Sequence, residues 1–363
     1  MSIACAPVPG GLEVARMVLR HALIHGHHDP AMQSMVLGFR RANRELRDEG
    51  RRVVWTRRAT AALFLYAARG DADAVRAALA SGADPNGTMI PDRLPADYHD
   101  VCEDMGWSGD PDSNTIYDRF EPIHVAALGQ SGEALRELLA AGAQVNATDR
   151  CGRTPLWHLM TDFSGSTAAS IQLLARAGAD LDRGDVNGVT PLMRAAMCAL
   201  APNVDALLAA GANPNARDLD GNTALMYAVR IVTLPNGEDC DGEDALELVE
   251  VLLRRGADPN IAGKTADYQT RRDLDCEDEE RDGFTPLMNA VSCGMTFEGV
   301  AQALLDAGAD PNATDCNGNT CLHLIAGDPD IGEDMLDLLL AAGARVDLAD
   351  YIGRTVLFGL WSL

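Results

Sequence analysis

Histidine and cysteine are where proton transfer, nucleophilic attack or metal binding would begin in this chain, with carboxylates to serve them. His124, His158 and His323 each stand three or four residues after a Glu or Thr that opens an apolar run. That spacing places them in the first turn of a helix, a structural position rather than that of a base poised over a substrate. His25-Gly-His-His28 carries metal-ligating side chains, but no further ligand follows at metal-site spacing, so an exposed helix end is the better reading. The acidic run from Glu238 to Asp244 resembles a calcium loop only in charge. With Gly242 as its sixth position the twelfth is Leu248, where a bidentate Glu is required. Nine cysteines are scattered from Cys5 to Cys321 without a CxxC pair, the pattern of free thiols in a reducing compartment. No glycine-rich phosphate loop or nucleophile elbow is present. Catalytic, cofactor and metal sites are therefore expected to be none, and the chain is read as no enzyme.

Bulk composition narrows the partner class. The 363 residues carry 30 Lys+Arg against 54 Asp+Glu, a formal net charge of −24, with 47% hydrophobic and 5% aromatic residues. Such acidity opposes the phosphate backbone of nucleic acids and the anionic face of a membrane, so neither is an expected partner. The first twenty residues lack a basic segment followed by an apolar one, and no apolar stretch is long enough to span a bilayer. A cytoplasmic, monomeric protein is the expectation.

The elements that position these residues are set by internal repetition. Gly-Ala followed by a polar residue recurs at Gly82, Gly142, Gly178, Gly211, Gly256, Gly308 and Gly343, four times continued by Pro-Asn. A Gly-x-Thr-Pro-Leu element or near variant recurs with its Thr at 154, 190, 223, 285, 320 and 355. The period is 33 to 36 residues, with one spacing of 62 that marks an insertion. Thr followed by Pro opens a helix, because the hydroxyl caps free N–H groups and Pro suits the first helical position. Gly closes the second helix in a left-handed conformation. Seven, four and three residues before that Gly lies an apolar stripe: Leu135, Leu138 and Leu139; Val204, Leu207 and Leu208; Val249, Leu252 and Leu253; Leu336, Leu339 and Leu340. One such helix pair cannot bury its own apolar faces, so neighbours must stack.

The pattern resembles the ankyrin-repeat family. Its TPLHxAA motif is matched by Glu121 to Ala127, Thr190 to Ala196, Thr285 to Val291 and Thr320 to Ala326. The resemblance covers residues 58 to 363 and implies an all-α solenoid. About seven repeats (58–119, 120–149, 150–185, 186–218, 219–281, 282–315 and 316–350) are followed by a C-terminal stub, 351–363. Residues 1–57 lie outside the pattern, show helical spacing and are read as an N-terminal helical cap. Residues 1–60 hold ten Arg against five acids, while the remainder carries −29.

The resemblance also implies a non-enzymatic scaffold that binds a protein partner through a concave groove and its projecting fingers. Contacts would come from residues between the hairpin Asp and the next Thr-Pro-Leu: Arg150, Cys151 and Arg153; Val186, Asn187 and Val189; Leu219, Asp220 and Asn222; Cys316, Asn317 and Asn319. Two acidic insertions, 87–119 and 263–281, follow Gly-Ala-Asp-Pro-Asn and so project from the fingers. Trp107 in the first and Asp275, Glu277, Asp278, Glu279 and Glu280 in the second are expected to meet a partner with a basic surface. Two other readings stay open. One is an acidic inhibitor or escort of a basic enzyme or toxin. The other is an adaptor that recruits a machine through residues 1–57.

Overall fold

The computed structural model describes residues 59–60, 62–88, 119–160, 167–230, 242–264, 282–292, 298–326 and 333–356. The N-terminal segment 1–57, the bodies of both finger insertions and the end of the stub lie outside them. What is described is a succession of antiparallel helix pairs. The helix at residues 62–69 precedes Ala72–Ala80, and Pro122–Leu128 precedes Gly132–Ala140. Then follow Pro155–His158 with Ala168–Arg176, Pro191–Met197 with Ala201–Ala210, and Ala224–Val229 with Gly242–Arg254. Pro286–Ser292 with Glu298–Asp306 and Cys321–Ala326 with Glu333–Ala341 complete the series. First helices pack on the first helices of adjoining pairs and second helices on second helices, giving two layers along the chain.

The local chemistry is that of the sequence pattern. Thr154, Thr190, Thr223 and Thr285 each accept the N–H three residues on, from Trp157, Met193, Met226 and Met288, at 3.2 to 3.4 Å. Gly211 caps its helix at φ 105°, a left-handed conformation that only glycine takes without strain. Leu135, Leu138, Val204, Leu207, Val249 and Leu252 are fully buried between the layers. The last helix departs from the stripe: Leu339 is buried, but Leu336 and Leu340 are 39% and 41% exposed. Among the described residues no later element covers that face. The sheet content is small. Gly263–Lys264 and Asp282–Phe284 pair antiparallel and join the two ends of segment 265–281 at its base.

A side-chain ladder ties each pair to the next. Asn86 Oδ1 accepts the Gln144 N–H at 2.8 Å while its Nδ2 donates to the Gly142 carbonyl at 3.2 Å. Asn146, Asn215, Asn260 and Asn312 repeat both bonds, to Asp180 and Gly178, Asp258 and Gly256, Asp310 and Gly308, and Arg345 and Gly343. At the sixth place stands Asp182, which accepts from the Asn213 N–H at 2.8 Å but has no N–H to donate. Asp182→Asn is therefore expected to complete the ladder at the Gly211 carbonyl. The gain is ~0.5–1 kcal/mol, the lower part of the range for a neutral hydrogen bond because the site is exposed. A rise in the urea midpoint at constant slope checks this; an unchanged or lower midpoint refutes it.

Candidate protein-interaction surface

Each finger is built around one aspartate. Asp149 Oδ1 accepts the N–H groups of Cys151 (2.8 Å) and Arg153 (2.9 Å), while its own N–H donates to the Arg153 carbonyl. Asp185, Asp218, Asp315 and Asp350 bind the N–H groups two and four residues ahead in the same way. Gly152, Gly188, Gly221, Gly318 and Gly353 hold the positive φ that the turn needs. Adjacent fingers are then bonded through backbone. Val186 N–H donates to the Cys151 carbonyl, Leu219 to Asn187, Lys264 to Asp220 and Tyr351 to Asn317, all at 2.9 to 3.0 Å. The tips therefore form a braced row and not a set of separate loops.

Most of the residues expected to contact a partner do reach the surface of this row. Arg150, Asn187, Asp220, Cys316 and Asn317 are exposed, and Cys151, Arg153, Val189 and Asn319 are half-buried. Val186 and Leu219 are large apolar side chains exposed by 61% and 77%. Asn222 is the exception. It is 1% exposed, with its N–H bound to Asp218 Oδ1 and its carbonyl accepting the Asp218 N–H, so it forms the turn rather than the surface. Trp107 and Asp275, Glu277, Asp278, Glu279 and Glu280 lie outside the described residues. The base from which 265–281 leaves is described, and Lys264 there is bonded to Asp220 in the finger row.

The second oxygen of the finger aspartate takes a different donor in four of the five turns. Asp149 Oδ2 is 2.9 Å from His158 Nε2, Asp218 Oδ2 accepts the Tyr227 hydroxyl, Asp315 Oδ2 the Asn319 amide, and Asp350 Oδ2 the Arg354 guanidinium. Burial holds the His158 imidazole below its ordinary pKa, so the neutral ring donates to the carboxylate. Burial opposes ionisation of Asp149, but the His158 N–H and the two backbone N–H groups outweigh it and keep its pKa low. Tyr227 is pushed up by burial and by the Asp218 carboxylate. His124 and His323 are likewise tied into the scaffold. His124 Nδ1 accepts the Glu121 N–H, and its Nε2 faces the Ala147 carbonyl at 3.1 Å. His323 bridges the Thr320 N–H and the Arg354 carbonyl. The buried thiols of Cys198 and Cys321 are raised by burial, Cys321 to about 12, which keeps them protonated.

Sequence reasoning passed over one cluster beside this row. Trp157 stands where the motif has His, is 5% exposed and donates its indole N–H to the Val189 carbonyl at 3.0 Å. The guanidinium carbons of Arg153 and Arg194 lie 4.3 and 5.2 Å from its ring centroid. Arg194 fills the variable place in Thr-Pro-Leu-Met-Arg-Ala-Ala, and a charge at that place was the available signal.

Stacked helix pairs, Thr-Pro caps and braced fingers define a class, the helical-repeat proteins whose exposed rows serve protein–protein interaction. The family model for ankyrin repeats matches three overlapping spans, residues 123–218, 157–263 and 240–350, and the chain belongs to the ankyrin-repeat family. Ankyrin repeats are protein–protein interaction modules. A fem-1 homologue of Drosophila melanogaster is 45% identical over 64 residues, 18% of this chain and 10% of that protein. The Notch homologue protein 1 of Danio rerio is 31% identical over 256 residues, 66% of this chain and 8% of that protein. The chain thus spans a tenth or less of either. Among solved structures, the ankyrin-repeat domain of Bcl-3 superposes with a TM-score of 0.52 at 25% identity, covering 67% of this chain and 94% of that one. Human ASB11 gives 0.51 at 21% identity, covering 78% and 98%, a likeness of fold alone. No helix among the described residues is long and apolar enough to cross a membrane.

Proposed function

We propose that this chain is a non-enzymatic scaffold that binds a protein partner along the finger row, with Arg150, Cys151, Val186, Asn187, Leu219 and Asp220 at its centre. The observation that carries this reading is the exposure of Val186 and Leu219 on tips braced by the Leu219–Asn187 backbone bond. An apolar side chain held rigid in water gains on being covered, at ~25 cal/mol per Å² of apolar surface, and loses little entropy in doing so. Cys316, Asn317 and Asn319 continue the same row. Replacing Val186 and Leu219 by Ser together is expected to lower affinity for the captured partner at least tenfold without shifting the melting temperature. Surface plasmon resonance on the co-purified partner measures it, and unchanged affinity would move the site off the fingers.

The acidic insertions extend this reading to a partner with a basic face. A field of one sign speeds association by roughly 10–10³ and is screened by salt within about 8–10 Å. Neutralising Asp275, Glu277, Asp278, Glu279 and Glu280 is expected to slow association and flatten its salt dependence. Trp107→Ala is expected to speed dissociation, since a buried aromatic anchors what charge only steers. Unchanged kinetics in both variants would confine the partner to the braced turns of the finger row, away from the insertions.

A further inference from the structure

We propose that Arg153 and Arg194, set against Trp157, form a carboxylate-binding site that takes one acidic side chain of a protein partner. The inference rests on the scaffold reading above and names the chemistry that the row recognises next to Val186 and Val189.

Several arginines of the described residues pair closely with a carboxylate, while Arg217 donates to the Gly221 and Ala262 carbonyls and Arg254 lies 3.9 Å from Glu250. Arg76 is bonded to Glu137 and Asp73, Arg136 to Glu133, Arg255 to Asp205, Arg345 to Asp347 and Arg354 to Asp350, at 2.6 to 2.9 Å. With 54 acids in the chain, a carboxylate is seldom far away. Arg153 and Arg194 differ. The nearest carboxylate oxygen to Arg153 is Asp185 Oδ2, 3.9 Å from Nε and beyond hydrogen-bond reach. Arg194 has no ion pair among the described residues. The Nε atoms of both are buried and have no hydrogen-bond partner.

Their surroundings fix the chemistry of what fits. Cation–π contact with Trp157 engages both guanidiniums without using their N–H donors. The neighbouring carboxylates are committed: Asp149 to three N–H groups, and Asp185 Oδ1 to the N–H groups of Asn187 and Val189. His158, beside them, is neutral. Those bonds leave the charge of both carboxylates in place, so two guanidiniums stand beside two carboxylates, and what the arginines lack is a hydrogen-bond acceptor rather than a counter-charge. A single carboxylate, bound in the forked geometry that arginine favours, supplies one. A polyanion would be repelled by the −24 of the whole chain.

The test uses the full chain with ¹⁵N-labelled arginine and a capped pentapeptide, Ser-Leu-Glu-Leu-Ser, against its glutamine twin and inorganic phosphate. The glutamate peptide is expected to shift the Nε–H signals of Arg153 and Arg194 and to quench Trp157 fluorescence. The glutamine peptide should bind about tenfold more weakly, as should the glutamate peptide to the Arg153→Gln, Arg194→Gln double variant. Arg194→Lys, which keeps charge without the fork, should fall between. Equal binding of the glutamine peptide, unmoved Nε–H signals, or equal shifts from phosphate at the same concentration would overturn the proposal. The Val186→Ser, Leu219→Ser variant separates the two readings: it would lose the partner yet keep the arginine signals responsive to the peptide.

Discussion

Asp149→Ala is expected to lower stability by ~3–5 kcal/mol in urea unfolding, the largest loss of any single polar substitution considered for the fingers. One side chain there satisfies three donors: the Cys151 and Arg153 N–H groups and His158 Nε2. The carboxylate is fully buried, so water cannot replace it, and each buried donor left without an acceptor costs ~1–3 kcal/mol. Asp315→Ala is expected to cost about half as much. Asp315 Oδ2 is served by Asn319, which is half-buried and returns to water when its partner is removed. The sign with pH follows from the depressed Asp149 pKa. The contribution is present above the unfolded value near 3.8 and is lost as pH falls through the lower folded one. Equal losses at Asp149 and Asp315 would show that the backbone bonds, common to both, carry the whole effect.

That contrast also marks how far the sequence could be read. Thr154 and Thr190 announce their helices because cap and capped N–H lie three residues apart, and Gly211 announces its turn because φ is a property of one residue. Such features repeat with the period and are legible by comparison along the chain. The donor to the second aspartate oxygen does not repeat: it is His158, Tyr227, Asn319 or Arg354. It sits nine residues ahead of the aspartate in two turns and four in the others, and only the folded turn brings it near. His158 was therefore legible as structural but not as the partner of Asp149. Asn222 was misplaced for the same reason. Its position between the hairpin Asp and the helix cap implies exposure, yet both of its backbone groups bond back to Asp218 and the chain turns it inward. The Arg153, Trp157 and Arg194 cluster joins two neighbouring repeats, so no single repeat contains its signal.

Glu121→Thr is expected to stabilise the chain, and by more at pH 8 than at pH 5. Glu121 occupies the place that Thr fills in five other repeats. Its Oε2 is buried without a hydrogen-bond partner. Glu121 stands in capping-box position with His124, whose Nδ1 accepts the Glu121 N–H, but its carboxylate makes no cap hydrogen bond to the helix that it precedes. Burial, with Asp84 nearby, pushes its carboxyl from 4.5 up to about 7. Between those values the folded chain binds more protons than the unfolded one, so this residue makes stability fall as pH rises from 4.5 to 7. His124, three residues on, works the other way. Burial, reinforced by His158, brings it from 6.5 down to about 4, so its contribution grows as pH rises from 4 to 6.5. In the natural chain the two slopes oppose each other; in Glu121→Thr the Glu121 slope is gone and that of the buried histidines remains. The variant should gain ~0.5–1 kcal/mol at pH 5 from the restored cap. That gain should reach ~1–2 kcal/mol above pH 7, a figure discounted because the carboxyl is partly solvated. Glu121→Gln separates the causes, since it removes the charge without supplying the cap. It should match the natural chain at pH 4.5 and exceed it at pH 8. Parallel stability–pH curves for all three proteins would mean that Glu121 titrates alike in the folded and unfolded states, and the buried carboxyl would then have no part in the stability of this repeat.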